Sequence, residues 1–110
     1  IADVYETVNL LVFDGIGLDL NAGKDEHLAA VAKYGVAETT TLFAGVVNGR
    51  NVWRTDLEKA LDVLQQAHER LGSRLWVAPR CSLLHSPVDL AREDKLDAEL
   101  KSWLAFAVQK

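Results

Sequence analysis

Apolar residues recur along this chain with two alternating periods. Val4, Val8, Leu11 and Val12 fall at helical spacing and predict a first helix over roughly 3–12. Phe13-Asp14-Gly15 breaks it, and Gly15–Leu20 reads as a short buried strand, closed by the turn Asn21-Ala22-Gly23. Lys24–Tyr34 reads as a helix with Leu28, Val31 and Ala32 on one face and Gly35 at its end. Thr40–Val47 is β-branched and apolar, a second strand. The strongest helical signal follows. Thr55-Asp56-Leu57-Glu58 has the form of a capping box, and Leu57, Ala60, Leu61, Leu64, Ala67 and Leu71 share one face up to Gly72. Leu75–Pro79 is a third strand. After the long connection Arg80–Lys95, which holds Pro87, the positions Leu96, Leu100, Trp103, Leu104, Ala107 and Val108 predict a last helix still running at Lys110.

The order is α-β-α-β-α-β-loop-α. Strands separated by helices imply right-handed crossovers and a parallel sheet. A closed (β/α)8 barrel needs about 250 residues. With 110 residues, the expectation is an α/β fold of about three right-handed βα units, either a small open sheet or an arc of a TIM-type barrel, in one partial domain spanning 1–110. An arc leaves two open strand edges and an inward face that has lost its cover, on which Leu18, Phe43 and Trp76 are expected.

Composition narrows the classes. Apolar residues make up 49% and charged residues 25%, enough for an ordinary folded core. Twelve basic against sixteen acidic residues give a net charge of −4, which argues against nucleic acid as a partner. The single Cys excludes a disulfide scaffold. No apolar run approaches a membrane span, and Asp3 and Glu6 stand where a signal peptide would be basic. The expected location is cytoplasmic. The chain opens on Ile1 and contains no Met, so it is expected to be a piece of something longer.

In parallel α/β folds, ligands bind at the carboxyl ends of the strands. Those ends carry Asp19 and Asn21, then Asn48, Arg50, Asn51 and Arg54, then Arg80, Cys81, Ser82 and His85. Arg50 and Arg54 suit carboxylates in forked geometry; the simpler expectation pairs them with Asp19 or Asp56. Gly15-Ile16-Gly17-Leu18-Asp19-Leu20 fails as a dinucleotide fingerprint, since its glycines precede the strand and Leu20 replaces the third. Close packing accounts for those glycines more simply. Cys81 and His85 supply half a zinc site at most, because zinc wants three or four ligands; as a nucleophile and base they would need hydrogen-bond contact. A buried structural Cys is the simpler reading. His27 and His68 read as solvated helix residues. All three tryptophans read as structural by default, and Trp53, beside the rim, is the one also placed to touch a ligand.

Three blocks carry a family resemblance. They are Gly45–Leu57 (GVVNGRNVWRTDL), Leu75–Leu90 (LWVAP, then CSLLHSPVDL after Arg80) and Leu96–Ala107 (LDAELKSWLAFA), with Gly17-Leu18-Asp19-Leu20 before them. In this order and spacing the chain resembles cobalamin-independent methionine synthase, in the late part of its N-terminal barrel. The resemblance implies a parent with two (β/α)8 barrels that moves a methyl group from 5-methyltetrahydropteroylpolyglutamate to homocysteine. It also implies zinc held by His, Cys and Glu residues of the C-terminal barrel, where homocysteine and the reactive folate headgroup bind. The folate polyglutamate tail is held mainly by basic residues upstream of Ile1. None of those motifs is in this chain. Accordingly no catalytic, cofactor-binding or metal-binding residue is assigned to it, and the isolated chain is expected to be inactive. Its expected partners are the remainder of the parent enzyme and, through the open edges, further copies of itself. Arg80 departs from the family pattern, which usually has a small residue, commonly Ser, before Cys81. Two other readings stand beside this one: a non-catalytic self-associating scaffold, and a small enzyme built on Cys81 and His85.

Overall fold

A computed structural model describes residues 2–110. Three parallel strands form its centre: β1 (Gly15–Asp19), β2 (Thr41–Val47) and β3 (Leu75–Pro79), side by side in sequence order. Helices α1 (Tyr5–Asn9), α2 (Lys24–Tyr34), α3 (Leu57–Leu71) and α4 (Ala98–Trp103) alternate with them. The parallel βα order is that of the sequence, and the arrangement is consistent with a segment of an α/β barrel.

The register fixes which side of the sheet is dry. Gly15 pairs with Thr41, Gly17 with Phe43, and Phe43 with Trp76. With side chains alternating along each strand, Leu18, Leu42, Ala44 and Val46 share the side on which α2 and α3 pack. There they are buried with Val31, Val63 and Leu71. The opposite side carries Gly15, Gly17 and Asp19 of β1, Phe43 and Gly45 of β2, and Trp76 of β3. Among the described residues no helix covers this side: Phe43 is 37% exposed and Trp76 59%, their rings meeting edge to face at 5.5 Å. The expected bare face is therefore present, but Leu18 is not on it. It is 3% exposed, because its even position turns it toward the helices. Val77, also on the helix side, stays exposed where β3 forms the sheet edge.

Four element expectations are corrected. The first helix is shorter: a 3-10 turn over Ala2–Val4 and then α1. Val4, Leu11 and Val12 are exposed, and Tyr5 takes the core position instead. Its hydroxyl donates to Gly35 O at 2.8 Å, while Asn9, one turn on, reaches Tyr34 O and Ala37 N. Polar anchors at i and i+4 thus dock α1 on the end of α2, and the apolar stripe is left over. In α2 the buried position is Ala30, beside Val31, whereas Ala32 is exposed.

The N-cap of α3 is Asp56, not Thr55; its carboxylate accepts Lys59 N–H at 3.2 Å. The buried face of α3 is Val63, Ala67 and Leu71, with Ala60 and Leu64 partly covered, while Leu57 and Leu61 on the flank are exposed.

The last helix stops at Trp103. Arg54 N–H donates to Trp103 O and Ala105 N–H to Val52 O, both at 2.8 Å, so the chain leaves the helix to pair antiparallel with residues 52–54. Extended backbone there buries Leu104, Ala105 and Phe106 in succession, which a helical face cannot do. Leu104 and Phe106 join Leu90 in a second small core.

Candidate functional site at the carboxyl ends of the strands

Asp19 ends β1 and is held from three sides. One carboxylate oxygen accepts Asn21 N–H and Ala22 N–H, both at 2.9 Å, and the other faces the Arg80 guanidinium at 3.4 Å. Its carbonyl oxygen lies 2.6 Å from His27 Nδ1. Arg80 crosses from the end of β3 to the end of β1 above Gly45. A Cβ on Gly45 would sit 2.8 Å from Arg80 Cα and from Leu18 O, so only a glycine leaves room for the crossing.

This ion pair changes the expected partners of the rim. Asp19 is taken by Arg80, and Asp56 by Lys59 at 3.2 Å. Among the described residues no acidic side chain pairs with Arg50 or Arg54, and both are exposed. The pairing of Arg50 or Arg54 with Asp19 or Asp56 is thereby overturned. His27 is also not a solvated residue. It is half-buried, and its ring packs so closely on Gly23 that a Cβ there would lie 2.7 Å away. Close packing holds for Gly15, whose Cβ would meet the Phe43 ring at 2.5 Å, but not for Gly17, which has nothing within 4 Å.

Cys81 is half-buried, short of the full burial expected, and lies against Gly49. His85 is exposed at the end of a 3-10 turn, Leu83–His85, capped by Ser82. Among the described residues no hydrogen bond joins Cys81 to His85, and no three His, Cys, Asp or Glu side chains come together as a metal site would require. No helix among them is long and apolar enough to cross a membrane.

Two residues that sequence reasoning passed over hold the rim together. Buried Ser86 donates to Gly49 O at 3.0 Å and Asn51 O at 3.1 Å. The Lys110 amine donates to Asn48 O and to Asn51 Oδ1, and burial pushes its pKa down. Neither belongs to a periodic pattern, so no local signal marks them. Between the ends of β1 and β2 and the start of α3 lies a cleft of about 320 Å³. Leu20, Val46, Ala60 and Val63 line its apolar part, Trp53 lines it too, and Lys24, Arg54 and Lys59 bring cations to it.

A parallel sheet with helices on one side, a bare opposite side and polar groups along its carboxyl edge defines an α/β segment of the barrel type. The family follows from the sequence. Residues 1–72 match the model of the cobalamin-independent synthase N-terminal domain, and the chain belongs to that family. It is 57% identical, over all 110 residues, to a 5-methyltetrahydropteroyltriglutamate–homocysteine methyltransferase of Bifidobacterium adolescentis. It is 52% identical, again over its whole length, to the enzyme of the same name from Acidithiobacillus ferrooxidans. The chain spans 14% of the length of each of these relatives.

Proposed function

We propose that this chain is a segment of an enzyme that transfers the methyl group of 5-methyltetrahydropteroyltriglutamate to homocysteine, giving methionine. The observation that carries this reading is identity of 52–57% along the whole chain to enzymes of that name. The segment's part is structural. Its sheet supplies three adjacent strands of the N-terminal barrel, and the bare side with Phe43 and Trp76 faces the barrel interior. The zinc of the parent is held by other parts of the longer protein, as the family resemblance implies. Zinc supplies thiolate stabilisation when bound. The parent works in the cytoplasm, as enzymes of amino-acid biosynthesis commonly do.

The test is an assay of the full-length polypeptide that carries this segment. Methionine should form from homocysteine and the methylated folate triglutamate without added cobalamin, and the 110-residue chain alone should form none. A full-length protein with zinc bound and no methyl transfer would overturn the reading.

The bare sheet favours a second reading for the chain when it stands alone. Both β1 and β3 are edge strands, and Phe43 of β2 and Trp76 of β3 are exposed on the open face. Unpaired edges and exposed aromatic rings favour self-association. Sedimentation at increasing concentration should show dimers or larger species, and a monomer throughout would refute it.

A further inference from the structure

The cleft beside α3 is not used by the reading above. Its volume of about 320 Å³ is at the small end of ligand pockets, which run from about 300 to 1,000 Å³. Its chemistry is divided: an apolar lining of Leu20, Val46, Ala60 and Val63, an indole, and cationic side chains. Among the described residues lining it, Asp56 alone is acidic, and that carboxylate is engaged by Lys59 and by the first turn of α3. Lys24 and Arg54 have no acidic partner among the described residues. On a chain of net charge −4, two uncompensated cations beside an apolar hollow are a local reversal of sign. Trp53 is also fixed. It bridges antiparallel to Leu104, and the backbone on either side of it is bonded to Trp103 O and Ala105 N–H at 2.8 Å. The indole and Arg54 are thus presented on a rigid strap.

We propose that this cleft binds a small organic carboxylate with an apolar or aromatic body. The body lies on Leu20, Val46 and the Trp53 indole, and the carboxylate meets Arg54 and Lys24. An apolar surface alone would not select the anion, and cations alone would not select the body.

Benzoate, acetate and benzyl alcohol separate the two contributions when titrated into the 15N-labelled chain. Benzoate should shift the Trp53 indole and Ala60 amide resonances saturably. Acetate, lacking the ring, and benzyl alcohol, lacking the charge, should each bind at least about tenfold more weakly. Arg54→Gln should weaken benzoate by about tenfold or more, and Lys24→Gln, at a separate point on the rim, should weaken it in the same direction. No saturable shift with benzoate overturns the proposal. So does equal binding of acetate, which would mean charge attraction only, or unchanged affinity in both folded variants.

Discussion

Gly45 and Gly17 sit on the same bare side of the sheet, and the structure assigns opposite outcomes to the same substitution at each. A Cβ on Gly45 would lie 2.8 Å from two backbone atoms, Arg80 Cα and Leu18 O, and 3.2 Å from Arg80 Cβ. Backbone atoms cannot rotate away, so Gly45→Ala must move β3 away from β2 or twist β2 itself. Forcing one methyl into a closed site costs about 1–3 kcal/mol. The displacement also lifts Arg80 from Asp19, adding the pair's contribution of roughly 0.2–1 kcal/mol, at the low end for partly exposed groups. At Gly17 a Cβ meets nothing within 4 Å. There the alanine relieves the unfolded-chain entropy of glycine, worth about 0.5–1 kcal/mol in a strand interior. Urea unfolding followed by tryptophan fluorescence reads both variants against the parent chain. Gly45→Ala should lower the midpoint clearly, and Gly17→Ala should leave it unchanged or raise it slightly. Equal midpoints for the two variants would refute the reasoning, because the substitution is the same and the added methyl is crowded by backbone at Gly45 but meets open space at Gly17 on the edge strand.

Three further outcomes follow from individual contacts. Asp56→Ala should lower the urea midpoint while Thr55→Ala leaves it in place, since Asp56 caps α3. The Lys59 N–H bond to Asp56 holds its carboxyl below the usual range. Its contribution is therefore present above the unfolded carboxyl pKa and is lost as pH falls through the lower folded value, which acid titration of the parent and of Asp56→Asn would reveal. Tyr5→Phe should cost about 0.5–1.5 kcal/mol by leaving Gly35 O without its donor, measured by thermal unfolding. Because burial raises the Tyr5 pKa, the parent's stability should hold below the unfolded tyrosine pKa and fall as pH rises through the folded one. That alkaline loss should shrink in the phenylalanine variant. A double-mutant cycle of Asp19→Asn and Arg80→Ser should give a coupling of roughly 0.2–1 kcal/mol, for a pair 3.4 Å apart with side chains 32% and 20% exposed. Zero coupling would mean that Arg80 gains nothing from its neighbour.

The sequence pattern carried the strands, α2 and the bounds of the parallel order, because those elements owe their form to local signals. Gly35 and Gly72, both at positive φ, end α2 and α3 where the chain must turn sharply. Alternation made β2 legible: Leu42, Ala44 and Val46 are buried and Phe43 is not. The two ends of the chain depart from their periodicity for a common reason. At Val4–Val12 and at Leu96–Val108 the apolar residues do have helical spacing, but long-range polar contacts win. Tyr5 and Asn9 bind the end of α2, and residues 103–105 bind residues 52–54. A periodicity says that a helix could bury one face; it does not say that the partner surface exists. Here a strand-like pairing satisfies backbone groups that a frayed final helix would leave to water.

The rim was half legible for a similar reason. Residue types at the strand ends are legible in the sequence, but their pairing depends on which side chains cross above the sheet. Arg80 reaches Asp19 because β2 presents glycine, not a side chain, between them. A Ser at 80 would leave Asp19 bound only by Asn21 and Ala22 amides and by its turn. An Arg there closes the carboxylate's open side and spans the sheet from edge to edge. The consequence falls on the remaining rim. With Asp19 and Asp56 both occupied by nearer cations, Arg54 and Lys24 are left with their charge uncompensated at the mouth of an apolar cleft. The Arg80–Asp19 pair and the free cations of the cleft are thus two sides of one arrangement of ion pairs.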